Sequence, residues 1–216
     1  MFYITYVLEI SAFLTGLIFL QRVRPVIYRT VIIVLLLSVV NEGLAHYKIY
    51  QQWNVSKHIF YNSFFLIELA IFSLIFYKAL QDRAYQKKIL TVAVAGMIAV
   101  VVAIVTNGFV PFNPFLIDAV IISIIFQAGL YLYLRNAGQK VYDLTADPLF
   151  WFSSGVILVN VFLLLAVNAI FIDAFKADSM SKSIISTLNT IGNLVYYAFI
   201  IISMLCSFRS PRLAGT

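Results

Sequence analysis

A single cysteine, Cys206, stands in a chain of 216 residues. No disulfide can close within the chain, and no metal site can be built on several thiolates. Charge is scarce as well: Asp, Glu, Lys and Arg make up 11% of residues against 62% that are hydrophobic. With a mean hydropathy of +0.97, the chain lies outside the range of soluble domains. No Gly-, Ser- or Pro-rich linker and no low-complexity tract divides it, so one domain over residues 1–216 is expected. Catalytic signatures are missing too. There is no P-loop, GxSxG, HExxH or paired CxxC, and two histidines are too few for a three-histidine zinc site. The last apolar segment has no lysine to carry a Schiff base. An enzyme is the least favoured expectation, and no cofactor is expected.

What is present is apolar sequence in runs of spanning length. The hydrocarbon core of a bilayer is about 30 Å thick and a helix rises about 1.5 Å per residue, so a span needs roughly 20 mostly apolar residues. Seven segments qualify: Ile4–Leu20, Pro25–Tyr47, His58–Leu80, Lys88–Thr106, Pro114–Leu134, Pro148–Ile172 and Ile184–Phe208. The breaks between them carry turn or charge signals, among them "QDRAYQKK", "TNGFVPFNP" and "RNAGQKVYDLTADP". Pro25, Pro114 and Pro148 stand near helix starts, where a missing N–H is harmless. The runs are apolar on every face rather than alternating, which favours helices over a β-barrel. The expected fold is all-α, a polytopic seven-helix transmembrane bundle.

Basic residues are retained on the cytoplasmic side. With the N-terminus outside, that side holds Arg22, Arg24, Arg29, Lys78, Arg83, Lys87, Lys88, Arg135, Lys140, Arg209 and Arg212, eleven of fifteen. The expected topology is N-terminus out and C-terminus in, across the inner (cytoplasmic) membrane of a cell. The formal charge of +6 then reflects contact with anionic lipid heads, and no nucleic-acid partner is implied. The first segment has no basic leader, carries Glu9 and lacks a small-x-small cleavage site, so it is read as a span rather than a signal peptide.

Five of the nine acids, including Asp147, are assigned to loops, whereas Glu9, Glu42, Glu68 and Asp118 fall inside the spans. Glu68 lies about 15 Å below the outer start of its helix, near the midplane. No Lys or Arg lies deep in a span, so each carboxylate must be protonated, hydrogen-bonded, hydrated or paired with a bound cation. Other polar residues recur at helical spacing. Asn189, Asn193, Tyr196 and Tyr197 form one stripe; Ser153 and Asn160 are seven apart, His58 and Asn62 four, and Tyr61 and Glu68 seven. The expected ligand-binding set is Glu9, Glu42, Asn62, Glu68, Asp118, Asn160, Asn189, Asn193 and Tyr196. A weaker expectation is a divalent-metal site at the external mouth from His46, His58 and Glu42.

A faint internal echo relates residues 1–80 to 114–208 as a 3+1+3 repeat. Glu9 matches Asp118, Pro25 matches Pro148, and "YNSFFLIELA" lies on "LNTIGNLVYY" with Asn62 on Asn189. The stretches "YNSFFLIELAIFSLIFYKAL", "DPLFWFSSGVILVN" and "NTIGNLVYYAFIIISMLCSF" resemble a group of small, uncharacterised bacterial seven-helix membrane proteins, some associated with sensor histidine kinases. That resemblance implies a sensory or accessory role with a membrane signalling partner, and it supplies no catalytic residues. Three functions follow in order: a module binding a small ligand, proton or cation in an outward-facing polar pocket, a small-molecule or proton-coupled carrier, and a membrane-embedded enzyme.

Overall fold

The computed structural model describes residues 2–19, 26–46, 56–109, 113–137, 144–171 and 179–209. Among the described residues there are seven α-helices: α1 (Phe2–Phe19), α2 (Val26–His46), α3 (Lys57–Ala79), α4 (Arg83–Asn107), α5 (Pro114–Ala137), α6 (Pro148–Phe171) and α7 (Ser179–Arg209). One 3-10 turn, Leu144–Ala146, precedes α6. Helices α2 to α7 are each long and apolar enough to cross a membrane, and α1 holds a shorter apolar stretch, Thr5–Ile18. The fold is all-helical, with the character of a multi-pass membrane protein.

Two boundaries differ from expectation, and local chemistry explains the first. The charged stretch "QDRAYQKK" is helical from Arg83 onward, because Asp82 caps α4 by accepting a hydrogen bond from the Ala84 N–H at 2.7 Å. Gln86 then reaches back and donates to the Leu80 carbonyl at 2.8 Å, so α3 and α4 are joined by three residues. The second is the start of α7, which begins at Ser179, five residues before the apolar run.

The link from α4 to α5 is organised by one buried amide. Asn113 Nδ2 donates to the carbonyls of Ala103 and Gly108, both at 2.9 Å, while Oδ1 accepts from the Leu116 N–H at 3.2 Å. It thus closes the end of α4 and caps α5. Gly108 takes φ 80°, a left-handed conformation open to glycine.

At the opposite end of the bundle, Asp147 is a buried cap rather than an ordinary loop acid. Its Oδ1 accepts from the Leu149 N–H at 3.0 Å, and its Oδ2 accepts from the Tyr131 hydroxyl and from Arg135 Nε, each at 2.9 Å. One carboxylate therefore starts α6 and ties it to α5.

Helices α1, α2, α3, α5, α6 and α7 close a ring in chain order, with α7 returning to α1. Helix α4 stands outside, against α3 and α5. It buries only the stripe Ile89, Gly96, Val100 and Ala103, and turns Leu90, Val94, Ile98, Val102 and Val105 outward. The α6–α7 pair meets through a reciprocal fit: Gly155 receives Phe199, and Gly192 receives Phe162. A Cβ on Gly192 would lie 2.9 Å from Phe162 Cβ, so only glycine permits this approach.

Candidate functional site

Inside the ring lies a cavity of about 870 Å³ lined from α2, α3, α5, α6 and α7. Its polar lining comprises Ser38, Asn41 and Glu42 from α2, His58, Tyr61 and Glu68 from α3, Asn160 from α6, and Ser186, Asn189, Asn193, Tyr196 and Tyr197 from α7. Val34, Leu35, Phe64, Phe65, Ile117, Val159 and Leu163 supply apolar wall between them.

All these positions belong to the half of the bundle where α2 ends and α3 begins. Helix geometry places Phe72 one turn deeper than Glu68 and Phe76 two turns deeper. Both are buried, and both pack on Phe152 of α6 with ring centroids 5.8 and 6.2 Å away. Tyr131 adds a further ring 6.2 Å from Phe76, and Ile200 is buried at the corresponding level of α7. The half of the ring around Phe72, Phe76 and Phe152 is thus packed with side chains, and the cavity lies in the other half.

Six members of the expected ligand-binding set line this cavity: Glu42, Glu68, Asn160, Asn189, Asn193 and Tyr196. The other three do not. Glu9 is buried behind the wall, where it accepts a hydrogen bond from the Tyr197 hydroxyl at 2.9 Å, with Ser38 also in hydrogen-bonding contact. Asn62 is buried and donates to the Phe109 carbonyl, which anchors α3 to the α4–α5 link. Asp118 accepts from Asn168 Nδ2 of α6 at 3.1 and 3.2 Å. These three bond helix to helix or helix to link outside the cavity.

Of the expected metal set, Glu42 and His58 line the cavity, whereas the side chain of His46 lies outside the described residues. Among the described residues, no group of three or more His, Cys, Asp or Glu is placed to hold a metal ion. Ser153 is buried without lining the cavity, and its hydroxyl has no partner among the described residues. The proposed repeat matches Asn62 with Asn189, yet one is buried off the cavity and the other is exposed on its lining.

Sequence reading missed Ser38, Asn41, His58, Tyr61, Ser186 and Tyr197 as members of the ligand set. A signal was present for most of them. Ser38, Asn41 and Glu42 follow i, i+3, i+4, Tyr61 stands seven before Glu68, and Tyr197 continues the α7 stripe.

Among the described residues, the lining contains two carboxyl groups and no lysine or arginine. Neither Glu42 nor Glu68 hydrogen-bonds or ion-pairs with a described residue, in contrast to Glu9. The Tyr196 hydroxyl is likewise buried without a hydrogen-bond partner among the described residues. The wall therefore sets carboxyl, carboxamide, hydroxyl and imidazole groups among aromatic and aliphatic side chains. Comparison of the chain with protein-family models, with curated proteins and with solved structures finds no match.

Proposed function

We propose that this chain is a seven-span protein of the cytoplasmic membrane, N-terminus outside, that binds a small ligand in an outward-facing cavity as a sensory or accessory module. The observation that carries this reading is the one-sided cavity of about 870 Å³, whose lining includes the Tyr196 hydroxyl, buried without a hydrogen-bond partner among the described residues. Small-molecule sites are concave, mostly apolar and provided with a few convergent polar groups, in volumes of roughly 300–1,000 Å³. A carboxylate deep in a membrane span is costly unless it meets water, a partner or a ligand, and Glu68, the middle residue of α3, lines the cavity. The distribution of basic residues supports the orientation.

A carrier is the second reading, favoured by the ring in which helices α1–α3 stand beside α5–α7 with α4 outside. It requires the packing of Phe72, Phe76 and Phe152 to part on every cycle. The buried state of all three favours the binding module.

The test is native mass spectrometry of the protein released from nanodiscs, for the wild type and for Asn193→Trp, which adds an indole to the cavity wall. A ligand-sized adduct on the wild type that the variant lacks supports the module. Identical spectra count against it. Uptake of that same molecule into sealed proteoliposomes would replace the module with the carrier.

A further inference from the structure

The chemistry of the wall narrows the ligand class, on the premise that the cavity is a binding site. Two helices turn a carboxyl group to the cavity, Glu42 on α2 and Glu68 on α3, and among the described residues no lysine or arginine lines it. An anionic ligand would find no described lysine or arginine to balance its charge, whereas a cation would find a carboxyl group able to ionise beside it, in a region where water screens weakly. The cavity volume of about 870 Å³ far exceeds what a bare metal ion needs, and much of the wall is apolar.

Two further features converge on the same class. Tyr61, Tyr196 and Tyr197 present aromatic rings to the cavity, along with Phe64 and Phe65. The negative faces of such rings attract a cation within about 6 Å, most of all where water is excluded. Tyr196 is only 7% exposed, and its hydroxyl has no partner among the described residues, which leaves that oxygen to a ligand. Tyr197, by contrast, is committed to Glu9. Depth orders the site: Glu68 and Tyr196 lie at its floor, and Glu42 stands about 6 Å from the end of α2.

We propose that the cavity takes an organic cation, a positively charged nitrogen or phosphorus centre carried on an apolar body. The charged centre sits by Glu68 under the ring of Tyr196, and the body rests on the phenylalanine wall. This deepens the functional reading above and rests on it.

A matched pair of ions tests the charge requirement. Tetraphenylphosphonium and tetraphenylborate share size and shape and differ in sign. Saturable binding of each is measured on the full chain in nanodiscs, for the wild type, Glu68→Gln, Asp118→Asn and Asn193→Trp. Glu68→Gln is nearly isosteric and has no partner among the described residues to lose, and matching thermal unfolding confirms that it folds. The expected result is saturable phosphonium binding, at least about tenfold weaker in Glu68→Gln, lost in Asn193→Trp and unchanged in Asp118→Asn. Tetraphenylborate should show no binding that Asn193→Trp removes. Borate binding that Asn193→Trp removes would keep the cavity as a ligand site and overturn the cation. Phosphonium binding that is absent, or that survives both Glu68→Gln and Asn193→Trp, also overturns the proposal. Failure of the cavity itself is read separately, from identical native mass spectra of the wild type and Asn193→Trp.

Discussion

Replacing Gly192 by alanine probes the α6–α7 seam with one methyl group. The new Cβ would stand 2.9 Å from Phe162 Cβ and 3.2 Å from its Cδ2. The first of these atoms is anchored directly to the α6 backbone, so no rotamer change moves it and the helices must separate. Overpacking of this kind costs about 1–3 kcal/mol. Against it stands the intrinsic preference of a helix for alanine over glycine, about 1 kcal/mol. The net expectation is destabilisation of roughly 0–2 kcal/mol, so an internal reference is needed. Gly129 on α5 supplies one, because a Cβ there meets nothing within 4 Å. Gly129→Ala therefore keeps the propensity gain without the clash. The two variants should differ by about 1–3 kcal/mol, with Gly192→Ala the less stable. Gly155→Ala, whose Cβ would lie 2.8 Å from Phe199 Cβ, should behave like Gly192→Ala. Thermal unfolding of the purified chain in one detergent, followed by tryptophan fluorescence, makes the comparison. Equal midpoints for Gly192→Ala and Gly129→Ala would refute the reciprocal glycine–phenylalanine seam.

Asp147→Ala removes a helix cap and strands the Tyr131 hydroxyl and the Arg135 guanidinium, for an expected loss of about 2–4 kcal/mol. Tyr131→Phe should cost only about 1 kcal/mol. Chemical denaturation in mixed micelles ranks the two, and the reverse order would contradict the shared carboxylate. Asn113→Ala leaves two carbonyls and one N–H of the α4–α5 link without their side-chain partner. Faster amide hydrogen exchange should follow at Leu116, and unchanged exchange there would mean that another group caps α5. Topology reporters fused at Lys140 and at the C-terminus should register cytoplasm, and a fusion near Asn113 the outside. The opposite pattern would turn the cavity toward the cell interior.

Residues of similar chemistry in similar runs of sequence received different fates. Glu9 and Glu42 both lie within helices, yet Glu9 is bonded to Tyr197 behind the wall while Glu42 lines the cavity. Asn62 and Asn160 are both buried, but Asn62 anchors the α4–α5 link and only Asn160 reaches the cavity. The α7 stripe was legible because four polar residues at 3.6-residue spacing define a face by themselves. A lone acid such as Asp118 defines none. Asp147 lies outside the helices as expected, but its bonds to Tyr131 and Arg135, 16 and 12 residues away, were beyond the reach of local pattern.

Hydropathy alone determined that this chain forms long apolar helices, since a bilayer sets their length and the backbone must satisfy itself in hydrocarbon. The same apolarity concealed how the helices are turned about their axes. A helix apolar on all sides carries no dominant stripe to say which face is inward. That rotation was decided by tertiary packing, through contacts such as Gly192 on Phe162, Gly96 on Ser123 and Phe72 on Phe152. Only once these rotations were in place did Glu42, Glu68, Asn160 and Tyr196 come to share one cavity, with Asp118 turned away from it toward Asn168.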